Sequence, residues 1–195
     1  MLENIKLRFT ESIQTKIDAA DTLPVAISEA GALMTQALVS GKKILCCGNG
    51  GSASLSQHFA ASMINRFERE RPSLPVISLA SDTTVLTNIS NDAGSKEIFV
   101  KQIRALGQAG DILVVLSAHG DSKNITKAIE SALARDMLIV ALTSNDSENI
   151  AGLIGSNDVE ISVPSSSPAR VLELHLLIIH CLCDFIDNSL FGEVS

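Results

Sequence analysis

The chain has 195 residues, a formal net charge of −7, 46% hydrophobic residues and 3% aromatic ones, with neither Trp nor Tyr. That length suits a single domain over residues 1–195, and a mean hydropathy of +0.28 with 19% charged residues excludes intrinsic disorder. An acidic chain poor in rings lacks the cationic face and the stacking platforms of a nucleic-acid binder, so no direct nucleic-acid contact is expected.

Apolar surface beyond the needs of one core points to burial between subunits. Glu3, Lys6 and Arg8 interrupt the first apolar residues, so no secretory leader is expected. The longest apolar stretch, 174–183, contains His175 and His180 and falls well short of the ~18 residues a membrane span needs. The cysteines occur as Cys46–Cys47 and Cys181-x-Cys183; neither spacing is C-x-x-C, so buried reduced thiols are expected, with no metal and no cofactor. A soluble, cytoplasmic oligomer follows.

Leu2, Ile5, Phe9, Ile13 and Ile17 recur every three or four residues and predict a first helix. Leu23, Ile27, Ala30, Met34, Ala37 and Leu38 predict a second, ended by Gly41. Residues 1–40 thus read as a helical extension that packs on the core or at a subunit interface. From Lys43 onward, short aliphatic runs alternate with helical stretches. Strands are expected at 44–47, 76–80, 112–117, 138–143 and 159–163, several apolar at consecutive positions, as in parallel strands covered on both faces. Helices are expected at 52–67, 95–107, 123–135 and 147–154. A last helix, 169–188, is apolar on nearly every side and so calls for burial. The fold class is α/β: a doubly wound five-stranded parallel sheet with two N-terminal helices and a long C-terminal one.

In such a sheet, ligands bind beyond the carboxyl ends of the strands. After the first strand comes Gly48-Asn49-Gly50-Gly51-Ser52-Ala53, where glycines permit close backbone approach and free N–H groups favour an anion. No Lys-Ser/Thr pair follows, so it is not a Walker A loop. It does fit G-x-G-x-x-A; a dinucleotide site, a bare anion site and a ligand-free turn all remain compatible with it. For the dinucleotide, Asp82 would be the ribose acid, but it lies 34 residues beyond Gly48 against a usual ~20.

The third strand runs into Ser117-Ala118-His119-Gly120-Asp121-Ser122. Ser117 and Ser122 offer hydroxyls and His119 a charged donor, while Asp121 or Ser122 also fits a simple helix cap. Two anion-friendly loops after neighbouring strands point to a phosphate on a small ligand. The run 143–147 reads as a cap and Asn91-Asp92 as a turn. His58 and Ser62 share a helix face, and Glu173, His180, Asp184 and Asp187 form a polar stripe on the last helix. Both read as structural, the stripe as a solvated or interface face. Residues 65–71 alternate in charge and read as a solvated helix end.

The run 44–52, the tetrapeptide Gln57-His58-Phe59-Ala60, the segment 66–75 and Asn91-Asp92 together resemble the sugar isomerase (SIS) family, phosphoheptose isomerase branch, over essentially the whole chain. The resemblance implies a flavodoxin-like sheet and a phosphosugar pocket made here by Gly48, Asn49, Gly50, Gly51, Ser52, His58, Ser117, His119, Ser122 and His180. It also implies lost catalysis. Ser62 stands where these isomerases carry a catalytic glutamate, Leu172 where they carry a metal- or substrate-binding glutamine, and Ala169 where they carry a substrate-contacting aspartate. Serine has no pKa suited to taking a proton from carbon, and two histidines alone make a poor divalent site, so no catalytic residue and no metal are expected.

Within the branch, residues 46–50 and 60–67, Cys181-Leu182-Cys183-Asp184 and Ile186-Asp187-Asn188 are similar to bacterial proteins that associate with the replication initiator DnaA. That likeness implies a non-enzymatic homotetramer, a dimer of dimers, that binds DnaA. Leu190 and Phe191, placed beyond the helix end, would be the partner contact. The alternative is a sugar-phosphate-binding protein or a phosphoheptose isomerase.

Overall fold

The computed structural model describes residues 1–120 and 122–192. In chain order its elements are α1 (Leu2–Thr22), α2 (Pro24–Val39), β1 (Ile44–Gly48), α3 (Gly51–Ile64), β2 (Val76–Ser78), α4 (Thr83–Ala93), α5 (Val100–Leu106), β3 (Ile112–Leu116), α6 (Lys123–Leu133), β4 (Leu138–Ser144), α7 (Glu148–Ala151), β5 (Val159–Val163) and α8 (Pro168–Phe191). The five strands form one parallel sheet in the order β2-β1-β3-β4-β5, the flavodoxin-like order, as expected.

Consecutive apolar residues in each strand face opposite layers. Ile44, Cys46, Val114 and Val140 pack under α2, α3 and α8; Leu45, Cys47, Leu113, Val115 and Ile139 pack under α5 and α6. Register sets Gly48 opposite Leu116, so the loops after β1 and β3 leave the sheet side by side. No single helix among the described residues is long and apolar enough to cross a membrane.

The structure corrects several boundaries. Helix α4 was not expected: it buries none of its residues fully, and its short apolar face of Val85, Leu86 and Ile89 is set among Thr, Ser and Asn. Asp82 starts it, accepting a 3.0 Å bond from the Val85 N–H, and Asn91-Asp92 belong to its last turn and not to a loop. The helix expected at 95–107 is a single 3₁₀ turn followed by the shorter α5, and that expected at 147–154 is the one-turn α7.

Helix α3 stops at Ile64, where the Arg71 guanidinium donates to the carbonyls of Ser62 and Met63 at 2.9 and 2.7 Å. Residues 65–71 are therefore a strap over the helix end, not a solvated extension of it. The last helix continues through Phe191 to Gly192 (φ 83°), so Leu190 and Phe191 lie inside it and not beyond it. Cys46, Cys47 and Cys183 are buried free thiols, whereas Cys181 is exposed.

Candidate functional site

Two loops build the rim of the sheet's carboxyl edge. In the first, Gly48 cannot carry a side chain, because a Cβ there would lie 2.7 Å from the Ser52 backbone, and Gly50 adopts φ 54°. Gly51 is covered by Leu172, whose Cδ1 would stand 2.8 Å from a Cβ at that position. The Ser52 hydroxyl, in the first turn of α3, is buried without a hydrogen-bond partner. In the second loop, Ser117 is buried and its hydroxyl donates to the Gly120 carbonyl, which turns it into its own loop. His119 is exposed, Ser122 occupies the cap position of α6 with no side-chain cap bond, and Asp121 lies outside the described residues.

The two loops are joined by a contact that sequence reading missed. Asn49 and Asn124 exchange amide hydrogen bonds, each 2.8 Å, pairing the glycine loop with the first turn of α6. Beside this pair an open cavity of about 670 Å³ is lined by Asn49, Ser122 and Asn124 together with Gly94, Ser95, Lys96, Ile98 and Lys123. The sequence placed Asn49 and Ser122 there. It did not place the two lysines, although Lys123 directly follows a residue already singled out.

His58 and His180 meet, Nε2 to Nε2 at 3.0 Å, with the Phe67 ring 5.3 Å from that of His180. Burial, and next the neighbouring imidazole, hold His58 below its ordinary value. Neither histidine lines the cavity beside Asn49. On the same face of α3 the next polar group is the buried Ser62. Among the described residues no three His, Cys, Asp or Glu side chains are grouped to hold a metal ion. Two imidazoles and a hydroxyl are not the donor set of a divalent cation. The geometry can hold an anion at the loops, and it sets two imidazoles in hydrogen-bond contact.

The polar stripe of α8 is solvated only in part: Asp184 is exposed and Glu173 and His180 are half-buried, but Asp187 is not. Asp187 is buried and ion-paired to the buried Arg71, Nε to Oδ1 at 2.7 Å. Glu173 accepts from Ser12 at 2.5 Å and pairs with Arg170 at 2.7 Å and Lys16 at 3.4 Å. Burial opposes ionisation of Glu173, but these donors hold its carboxyl below the usual range. At the C-terminal end, Leu190 is half-buried against the core, whereas Phe191 is 40% exposed. The dinucleotide possibility also loses its acid, since Asp82 is engaged as the cap of α4.

A flavodoxin-ordered sheet with a glycine loop and a serine loop at neighbouring strand ends is the architecture of a sugar-isomerase-type domain. Residues 8–144 match the model of the SIS domain, and the chain belongs to that family. It is 61% identical to the DnaA initiator-associating protein DiaA of Pectobacterium atrosepticum, over 98% of this chain and 97% of that one. Among solved structures it is similar to a phosphoheptose isomerase from Francisella tularensis (40% identity, TM-score 0.91, 96% of this chain and 98% of the other). Phosphoheptose isomerase GmhA from Neisseria gonorrhoeae is similar too, with 43% identity, TM-score 0.91 and the same coverage.

Proposed function

We propose that the chain is a cytoplasmic, non-enzymatic adaptor that binds the replication initiator DnaA. As a homotetramer of single SIS domains it would promote assembly of DnaA at the chromosomal origin and timely initiation. The observation that carries this reading is the near-full-length likeness to a relative named for association with DnaA. The site supports the non-enzymatic half, because one turn along α3 from His58, where a base could face the imidazole pair, stands the hydroxyl of Ser62. The exposed Phe191 at the end of α8 serves as a partner contact, with Leu190 fixing it from the core side.

Helix α1 supports assembly. Its polar side is tied to α8 through Ser12, Lys16 and the Arg8 carbonyl, while its apolar stripe faces outward. Residues 1–40 would then be the extension that a neighbouring subunit covers. Several copies of one contact in a symmetric assembly raise the effective concentration of initiator without new chemistry, and DNA is held by the partner.

A second reading has its own support. The buried, unpartnered Ser52 hydroxyl in the glycine loop and the likeness to phosphoheptose isomerases favour a pocket that still takes a sugar phosphate. Purified chain mixed with purified DnaA, with mass read across the complex peak, separates the readings. A tetramer carrying more than one DnaA supports the adaptor. No complex at micromolar concentrations, together with turnover of sedoheptulose 7-phosphate that His180→Ala abolishes, overturns it in favour of the enzyme.

A further inference from the structure

Three arginines stand in the strap between α3 and β2, and they differ in what neutralises them. Arg66 pairs with Glu70 at 2.9 Å and Arg71 with Asp187 at 2.7 Å, but Arg69 has no carboxylate in ion-pair range among the described residues. Its guanidinium instead donates to two carbonyls at the end of α8, those of Asp187 and Gly192. There it meets the negative end of the helix dipole. The same group lies 5.7 Å from the centre of the Phe191 ring, in cation–π range. Among the described residues these bonds use two of its five N–H donors, which leaves three for another acceptor.

We infer that Arg69 and Phe191 form one composite contact for the partner, drawn from two segments far apart in sequence. Phe191 supplies an apolar ring, and Arg69 supplies a cation, already fixed in position, for a carboxylate on the partner. The partner surface it fits is an apolar side chain flanked by an acidic one. In a chain of net charge −7, a cation beside an exposed ring, with no carboxylate in ion-pair range among the described residues, is the feature an acidic partner patch would select. This inference rests on the adaptor reading and on the C-terminal end of α8 as its contact.

The test uses the full-length chain and purified DnaA, with the dissociation constant followed as salt is raised. Phe191→Ala is expected to weaken binding at least about tenfold, and Arg69→Ala by about three- to tenfold at low salt, with a flatter salt dependence. Arg69→Lys should keep the salt dependence, because it keeps the charge, and recover part of the affinity. Assembled mass should be unchanged in all three.

If Phe191→Ala and Leu190→Ala both bind like the unmodified chain, the C-terminal contact itself is wrong. If Phe191→Ala loses binding while Arg69→Ala does not, the contact stands and the role given to Arg69 is overturned. A third result also overturns it. In that case Arg69→Ala weakens binding with an unchanged salt slope, speeds amide exchange at residues 188–192, and is not rescued by lysine. Arg69 then only caps the helix.

Discussion

Helices α1 and α8 both carry apolar faces, a single stripe in α1 and most of the surface in α8, and these meet opposite fates. In α8, Leu174, Ile178, Ile179, Leu182 and Ile186 are each exposed by 2% or less. In α1, the stripe Leu2, Ile5, Phe9, Ile13 and Ile17 is 50–68% exposed, and Ala19 is the one buried residue of the helix. The contacts explain the difference. Helix α8 runs across the sheet layer that also receives α2 and α3, whereas α1 touches α8 through its polar side. Apolar periodicity therefore reports that a face will be covered, but not by which chain. One helix completes a core; the other presents a core half to something else.

The sharpest way to break the α8 side is to remove one partner of its internal anchor. The side chains of Arg71 and Asp187 are 1% and 4% exposed, so Arg71→Ala leaves a buried carboxylate unpaired. A loss of about 3–5 kcal/mol is expected in urea unfolding. Replacing both residues by apolar ones of similar volume should recover most of it, and failure to recover would show that the bonds from Arg71 to the end of α3 matter more than the pair.

A smaller effect comes from His175, buried in α8 with its Nε2 3.1 Å from the Thr143 carbonyl. Burial lowers its pKa to about 4, against the upward pull of that carbonyl. In the unfolded chain it titrates near 6.5, so between about pH 6.5 and 4 the unfolded state binds more protons. Stability is fully present above about 6.5 and falls by up to about 3 kcal/mol as pH drops through that window. His175→Gln should flatten that part of the stability–pH curve; an unchanged curve would assign the acid loss to other groups.

Much of the fold was legible because β1, β3 and β4 are apolar at successive positions and the helices of both layers keep their stripes. Helix α4 was not, since it starts from a cap, is rich in turn-loving residues and half-buries only a three-residue apolar face, Val85, Leu86 and Ile89. At the site, the loops at 48–52 and 117–122 followed from their place after neighbouring strands. The meeting of His58 with His180 across 122 positions had no periodic signal, nor did that of Arg71 with Asp187 across 116. Charge alternation in the strap misled for the same reason. A local pattern reads as solvated until tertiary packing supplies a buried partner.

The end of α8 offers a finer division. Leu190 packs against the core and Phe191 does not, so the two should separate stability from binding. Leu190→Ala is expected to cost about 1–2 kcal/mol in unfolding. Phe191→Ala should cost under about 0.5 kcal/mol while weakening DnaA binding. Equal stability losses would mean that Phe191 is a seal and not a contact.

The smallest effect on the single chain is expected where the effect on assembly is greatest. Phe9→Glu with Ile13→Glu places two carboxylates in the α1 stripe without disturbing Ser12, Lys16 or the Arg8 carbonyl, which hold the helix to α8. Both replaced side chains are more than half exposed, so the fold of one chain should lose less than about 0.5 kcal/mol per site. If a neighbouring subunit covers the stripe, each buried carboxylate lacks a partner and the assembly dissociates. Sedimentation then shows a smaller particle with unchanged helical content. A particle of unchanged mass would free α1 from the interface and leave its stripe to cover some other surface.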